Sequence, residues 1–217
     1  DAEFPIINGE KGNITEYLHF SGANSGSYTL HSFTGGLREN MAPESATAVF
    51  SADTDLADFQ ARLNAFVDGK PVTADIKEEN GQFIVTVYGK SAHGSTPEEG
   101  INGATYLAIF LNQFAFEGPA KAFIDVTANV LHNDFDAKKL GVDYVDERMG
   151  ALSMNAGVFN FDEASAENTI ALNFRYPQGT DAKTIQAGLE KVAGVEKVTL
   201  SEHEHTPHYV PMDDPLV

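Results

Sequence analysis

The sequence predicts an α+β fold of two repeated halves, each with helices packed on one face of an antiparallel sheet. Three observations lead there: a hairpin signal at Asn80-Gly81, apolar residues at helical spacing from Leu56 onward, and a partial recurrence of element order after residue 150.

In chain order, residues 28–34 and 46–51 read as short strands, joined by a turn-rich link that contains Gly35, Gly36, Asn40 and Pro43. A helix follows, because Leu56, Phe59, Leu63, Phe66 and Val67 share one face. Asp53, Thr54 and Asp55 offer capping groups and Gly69 a stop. Two strands then flank Asn80-Gly81, with Phe83, Val85 and Val87 alternating against Ile84, Thr86 and Tyr88. A long helix is predicted from Thr96: that residue can cap, Pro97 suits the first helical position, and Glu99 stands three residues after the cap. Its apolar face is Ile101, Ala104, Leu107, Ala108, Leu111 and Phe114.

Further on, residues 154–161 and 168–176 read as strands, 181–192 as a helix with Ile185, Leu189 and Val192 inward, and 195–201 as another strand. Asn40-Met41 followed by Glu44-Ser45-Ala46 resembles Asn160-Phe161 followed by Ala164-Ser165-Ala166, which suggests a duplicated plan. The first half is placed at 1–117. The second occupies 118–217 and opens with a mainly helical connector whose apolar residues are Phe123, Val126, Val130 and Leu131.

The 217 residues are 42% hydrophobic, enough for a substantial core. With no cysteine, neither disulfides nor thiolate metal sites are available, and a cytoplasmic location is expected. The apolar stretch 106–116 is broken by Asn112 and Gln113, and the first residues lack a basic-then-apolar segment, so neither a membrane span nor export is expected. A formal net charge of -18 opposes contact with phosphate backbones and anionic lipid. The same charge suits a solvated surface and indicates no mechanism.

No Gly-x-Ser-x-Gly elbow, His-Glu-x-x-His helix or phosphate-cradling glycine loop occurs, so a complete hydrolytic set cannot be assembled from these residues. Three positions nevertheless offer chemistry. His93, in Ser91-Ala92-His93-Gly94-Ser95-Thr96-Pro97, has small neighbours that leave its imidazole room to project. Next to a helix N-terminus the ring is expected to stay neutral and donate a hydrogen bond, although a loop histidine that bonds only locally is the commoner case. Arg175 ends a strand whose Ile170, Leu172 and Phe174 share one face, so it points to the other with Asn173 and Ala171. Its planar fork suits a carboxylate, and a surface salt bridge is the plainer alternative. Asn40 occupies a strand-connecting turn where its amide could reach a ligand or merely serve the turn. His203, His205 and His208 form His-x-His-x-x-His, but neither the spacing nor the adjacent Glu202, Glu204 and Pro207 matches a compact zinc site.

Several runs carry a family resemblance: Asp1-Ala2-Glu3-Phe4-Pro5-Ile6-Ile7-Asn8-Gly9-Glu10, Ser91-Ala92-His93-Gly94, Arg175-Tyr176-Pro177-Gln178-Gly179-Thr180 and Pro207-His208-Tyr209-Val210-Pro211. With them the chain resembles, along essentially its whole length, the PepV-type bacterial dipeptidases. These are two-zinc hydrolases of the aminopeptidase, carboxypeptidase, aminoacylase and carnosinase family, whose catalytic domain is interrupted by a lid. The resemblance implies that this chain is the lid, built from two similar halves. It implies that His93 stabilises the tetrahedral oxyanion, Arg175 binds the carboxylate of a dipeptide substrate, Asn40 helps hold that substrate, and Asp1 is a zinc ligand. It further implies that the remaining ligands of the two zinc ions and the general base lie outside the chain. The lid alone is then expected to bind no zinc tightly and to hydrolyse nothing. As an insertion, it is expected to be a monomer that works against the catalytic domain of the same chain. The competing reading is a self-contained binding or oligomerisation module.

Overall fold

The computed structural model describes residues 9–165 and 168–209. Its strands and helices follow one another as β1 (Gly9–Glu10), β2 (Gly12–Phe20), β3 (Thr29–Gly35), β4 (Ser45–Ser51), α1 (Leu56–Val67), β5 (Thr73–Glu79) and β6 (Gln82–Tyr88). Then come α2 (Gly103–Leu111), α3 (Gly118–Asp125), β7 (Val145–Asp146), β8 (Gly150–Ala151), β9 (Ser153–Asp162), β10 (Asn168–Tyr176), α4 (Ala182–Leu189), β11 (Lys197–Leu200) and β12 (His208–Tyr209). The fold is α+β. Eight strands form one antiparallel sheet in the order β11-β2-β10-β9-β3-β4-β6-β5.

Local chemistry accounts for most of these elements. Asp55 caps α1 by accepting the Asp58 N–H at 3.0 Å, and Phe59, Leu63 and Phe66 fill its buried stripe. Asn80 (φ 54°) and Gly81 (φ 76°) make the two-residue turn between β5 and β6, which places Glu79 opposite Gln82. Both residues sit in the left-handed region that this tight hairpin requires. Asp181 caps α4, accepting from the Thr184 N–H at 2.8 Å.

Helix α2 departs from expectation. Residues 97–99 make only a single 3-10 turn, and the helix starts at Gly103 behind Asn102, whose Oδ1 accepts from the N–H groups of Ala104 and Thr105 at 3.0 and 3.1 Å. The reason is a pair of backbone hydrogen bonds between Lys90 and Ile101, each 2.8 Å, which hold residue 101 extended. Tertiary pairing here overrides the capping signal at Thr96.

Strand β2 was not among the elements expected from sequence. It lies between β10 and β11 with Ile14, Leu18 and Phe20 on the helix-covered face. The alternation is interrupted because the fourth residue on that face is Glu16, an acid where an apolar residue belongs. Its position also bears on the division expected at 117/118, since a strand from residues 12–20 is embedded among strands of the later part. The sheet is continuous across β3 and β9, which pair through Phe33↔Phe161 and Thr34↔Asn160. Asn160 is therefore a strand residue, whereas Asn40 sits in a turn, so the two similar motifs do not occupy equivalent places.

The core lies between the sheet and the helices. Phe123 of α3 packs against Phe20, Phe33 and Phe161 with ring centroids 5.3 to 5.4 Å apart, and Phe59 of α1 meets Phe50 and Phe83 at 5.2 and 4.7 Å. The other sheet face carries alternating polar residues, Asn13 and Thr15 on β2, Asn173 and Arg175 on β10, Ser153 and Asn155 on β9. β1 and β12 pair antiparallel, Gly9 with Tyr209 and Glu10 with His208, which brings the two ends of the described residues side by side. Among the described residues no helix is long and apolar enough to cross a membrane.

Candidate functional site

Arg175 stands at the end of β10, opposite Asn13 of β2 and Ser153 of β9. Its Nε–H donates to Asn173 Oδ1 at 3.1 Å. Its two terminal nitrogens have no hydrogen-bond partner among the described residues. Burial pushes the pKa of Arg175 down from its usual value. A half-buried cation without an anionic partner is an incomplete arrangement that an incoming carboxylate would complete.

The guanidinium faces a polar cavity of roughly 810 Å³, lined among others by Lys11, Asn13, Ser95, Ser153 and Glu204. Lys11 donates to the Ala151 carbonyl oxygen, and burial lowers its pKa. Glu204 accepts a hydrogen bond from the Tyr176 hydroxyl, whose pKa is raised by burial and then by that carboxylate.

Ser95 links this cavity to His93. The Ser95 backbone N–H donates to His93 Nδ1 at 3.1 Å, and the Ser95 hydroxyl lies 2.7 Å from the same nitrogen. A backbone N–H can only donate, so Nδ1 must keep its lone pair and the ring proton belongs on Nε2. His93 is exposed, with Nε2 available as a donor. With α2 starting at Gly103, no long helix begins beside His93, and the tautomer is set by Ser95 rather than by a helix dipole.

Asn40 is exposed in the turn after β3 and is tied to His93 through the backbone. Gly94 donates its N–H to the Asn40 carbonyl at 2.6 Å, Ala42 donates to the Ala92 carbonyl at 2.8 Å, and Met41 and His93 form an isolated bridge. A Cβ on Gly94 would meet the Asn40 carbonyl oxygen at 2.8 Å, so only glycine permits this approach. Beneath the turn, Asn155 of β9 donates both amide hydrogens, to the carbonyls of Glu39 at 2.9 Å and Met41 at 3.0 Å. The backbone carrying Asn40 and His93 is therefore anchored on the sheet face that carries Arg175.

Asp1, the zinc ligand implied by the resemblance, lies outside the described residues. Among the described residues no group of three or more His, Cys, Asp or Glu side chains converges to hold a metal, so they do not fit a zinc site. His205 is engaged through its backbone with Asn13, and His208 belongs to β12.

Sequence reasoning missed Ser95, Ser153, Asn155 and Lys11. For Ser153 and Asn155 the signal is the β9–β10 register, which sets them across from Arg175 and Asn173 and which no local pattern encodes.

The full length of the chain aligns with the beta-Ala-Xaa dipeptidase of Lactobacillus delbrueckii subsp. lactis, 39% identical over 221 residues that make up 46% of that protein. It also aligns with a Bacillus subtilis protein named "Putative dipeptidase YtjP", 34% identical over 223 residues and 47% of its length. The chain is a relative of these bacterial dipeptidases. This dipeptidase relative spans about half the length of the curated proteins it matches. No protein-family model matches it. Among solved structures, the aminoacylhistidine dipeptidase from Vibrio alginolyticus aligns with 92% of this chain and 46% of its own at 13% identity and a TM-score of 0.35, too low a global agreement to speak to any site.

Proposed function

We propose that the chain is the substrate-capping lid of a zinc-dependent dipeptidase, inactive by itself, which supplies an oxyanion donor and a carboxylate clamp to a catalytic domain elsewhere in the same protein. One observation carries the reading. Ser95, which fixes the tautomer of His93, lines the same cavity as Arg175, whose terminal nitrogens have no hydrogen-bond partner among the described residues. In use, the Nε2–H of His93 donates to the oxygen that gains charge as the peptide carbonyl becomes tetrahedral. Arg175 grips the terminal carboxylate through its unused nitrogens, and Asn40 adds an amide beside His93. Bound in this way, the dipeptide is oriented before reaction. The described residues hold no metal ligands as a group, so the water-activating chemistry belongs to the rest of the protein.

The pairing of β1 with β12 supports this reading, because an inserted domain must enter and leave its host at neighbouring points. The module reading has less support. The edge strand β5 carries Asp75, Lys77, Glu78 and Glu79, charges that discourage strand-to-strand association, and a cytoplasmic monomer is the state proposed.

The test is steady-state kinetics of the full-length protein on a β-alanyl dipeptide. His93→Ala is expected to lower kcat by about a hundredfold to a thousandfold with little change in KM. Near-normal kcat with a raised KM would overturn the assignment of His93. A tight symmetric dimer of the 217-residue chain in light scattering would favour the module instead.

A further inference from the structure

Two buried asparagines face each other beneath the candidate site. Asn155 and Asn173 are directly opposite in the β9–β10 ladder, 2% and 3% exposed, a costly place for amides unless every polar group is used. Asn173 donates to Asn13 Oδ1 at 2.9 Å and Thr15 Oγ1 at 3.1 Å, and its own Oδ1 accepts from Arg175 Nε. Asn155 faces two backbone carbonyls, Glu39 and Met41, which flank Asn40. Carbonyls only accept, so the Asn155 amide nitrogen must point to them, and both of its hydrogens are committed.

The backbone around Asn155 is shaped for this contact. The β9–β10 register slips at Gly157, since Val158 pairs with Ala171 and Ala156 with Leu172. A Cβ on Gly157 would sit 2.4 Å from the Glu39 carbonyl oxygen and 2.7 Å from its Cα. The bulge and the missing side chain let the turn descend onto β9 within reach of Asn155.

We propose that Asn155 is a positioning residue that fixes the turn carrying Asn40, and through it His93, at a set height and distance from Arg175. It does not touch substrate. It acts through the carbonyls of Glu39 and Met41, then the Gly94-to-Asn40 hydrogen bond and the Met41–His93 bridge. Asn173, opposite it in the ladder, holds the Arg175 guanidinium through the Nε–H to Oδ1 hydrogen bond. The inference rests on the lid reading above.

The test uses the full-length protein and a β-alanyl dipeptide. Asn155→Leu, which keeps the shape and removes both donors, is expected to lower kcat by about tenfold to a hundredfold, as displaced catalytic groups do, with KM within about threefold. The same substitution in a His93→Ala background is expected to cost less than about twofold more, because a residue that acts through His93 has nothing left to position. Equal losses in the two backgrounds would mean a merely structural contribution and overturn the proposal. So would unchanged kcat in Asn155→Leu when His93→Ala alone is crippled. If His93→Ala itself leaves kcat intact, the lid reading falls and takes this proposal with it. Gly157→Ala supplies the same test should Asn155→Leu fail to fold, because it pushes the Glu39 backbone away without touching Asn155. Its kcat should fall by a similar factor only while His93 is present, and an unchanged kcat would overturn the positioning claim.

Discussion

Glu16 lies opposite Leu172 in the β2–β10 ladder, fully buried, and neither of its carboxyl oxygens has a hydrogen-bond partner among the described residues. Burial first, then the nearby Glu204, Asp181 and Glu190, raises its pKa to about 9, with Lys183 opposing. The folded protein therefore holds a proton that the unfolded chain, with a carboxyl near 4.5, gives up. The contribution of Glu16 to stability is greatest below the unfolded value and is lost as pH rises toward 9, on the order of 1 kcal/mol per pH unit in that window. Denaturant midpoints measured from pH 5 to pH 8 should fall for the native chain and stay much flatter for Glu16→Gln. Glu16→Leu, which removes an unsatisfied buried carboxyl, should raise stability at pH 7 by about 1–3 kcal/mol. A pH-independent midpoint in the native chain would contradict a buried, protonated Glu16.

Arg175→Lys keeps the charge and loses the fork. The lysine ammonium offers no pair of parallel donors, so on the proposed role the KM of the full-length protein for a free dipeptide should rise by about tenfold or more while kcat changes less. A C-terminally amidated dipeptide gives the control: on the proposed carboxylate role the unsubstituted full-length protein should favour the free carboxylate, and that preference should shrink in the variant. Equal discrimination by both proteins would remove Arg175 from substrate binding.

Ser95→Ala separates two contacts on one nitrogen. The hydroxyl at 2.7 Å from His93 Nδ1 is lost while the backbone N–H at 3.1 Å stays, so the tautomer survives. In steady-state kinetics of the full-length protein on a β-alanyl dipeptide, kcat should drop by less than about tenfold, the worth of one neutral hydrogen bond. A loss as deep as that of His93→Ala would mean that the hydroxyl, not the backbone, sets the ring.

Phe123→Ala tests where the core is held. Its ring joins Phe20 of β2, Phe33 of β3 and Phe161 of β9, three strands spread across the sheet. Removing it should cost about 3–5 kcal/mol by chemical denaturation, the range for a buried phenylalanine that leaves a cavity. A cost under 1 kcal/mol would show that these strands do not depend on the helix α3 contact.

The elements whose causes are local are legible in the residues alone: the Asp55 cap and apolar stripe of α1, the Asn80-Gly81 hairpin, and the alternation that sends Arg175 to the face opposite Phe174. The sequence also offers His93, Arg175 and Asn40 as candidates, and their roles belong to the proposal above. The remaining features depend on partners distant in the chain. β2 stayed hidden because Glu16 interrupts its apolar face, and only the strands on either side make it a strand. The start of α2 moved to Asn102 because the Lys90–Ile101 hydrogen bonds outweigh a capping signal at Thr96. Asn155 became visible only once β9 and β10 were in register, since a strand residue's neighbours are set by partners far away in sequence. Propensity acts over a turn or two of chain, whereas the Asn155 hydrogen bonds that hold the Asn40 turn on the sheet span more than a hundred residues.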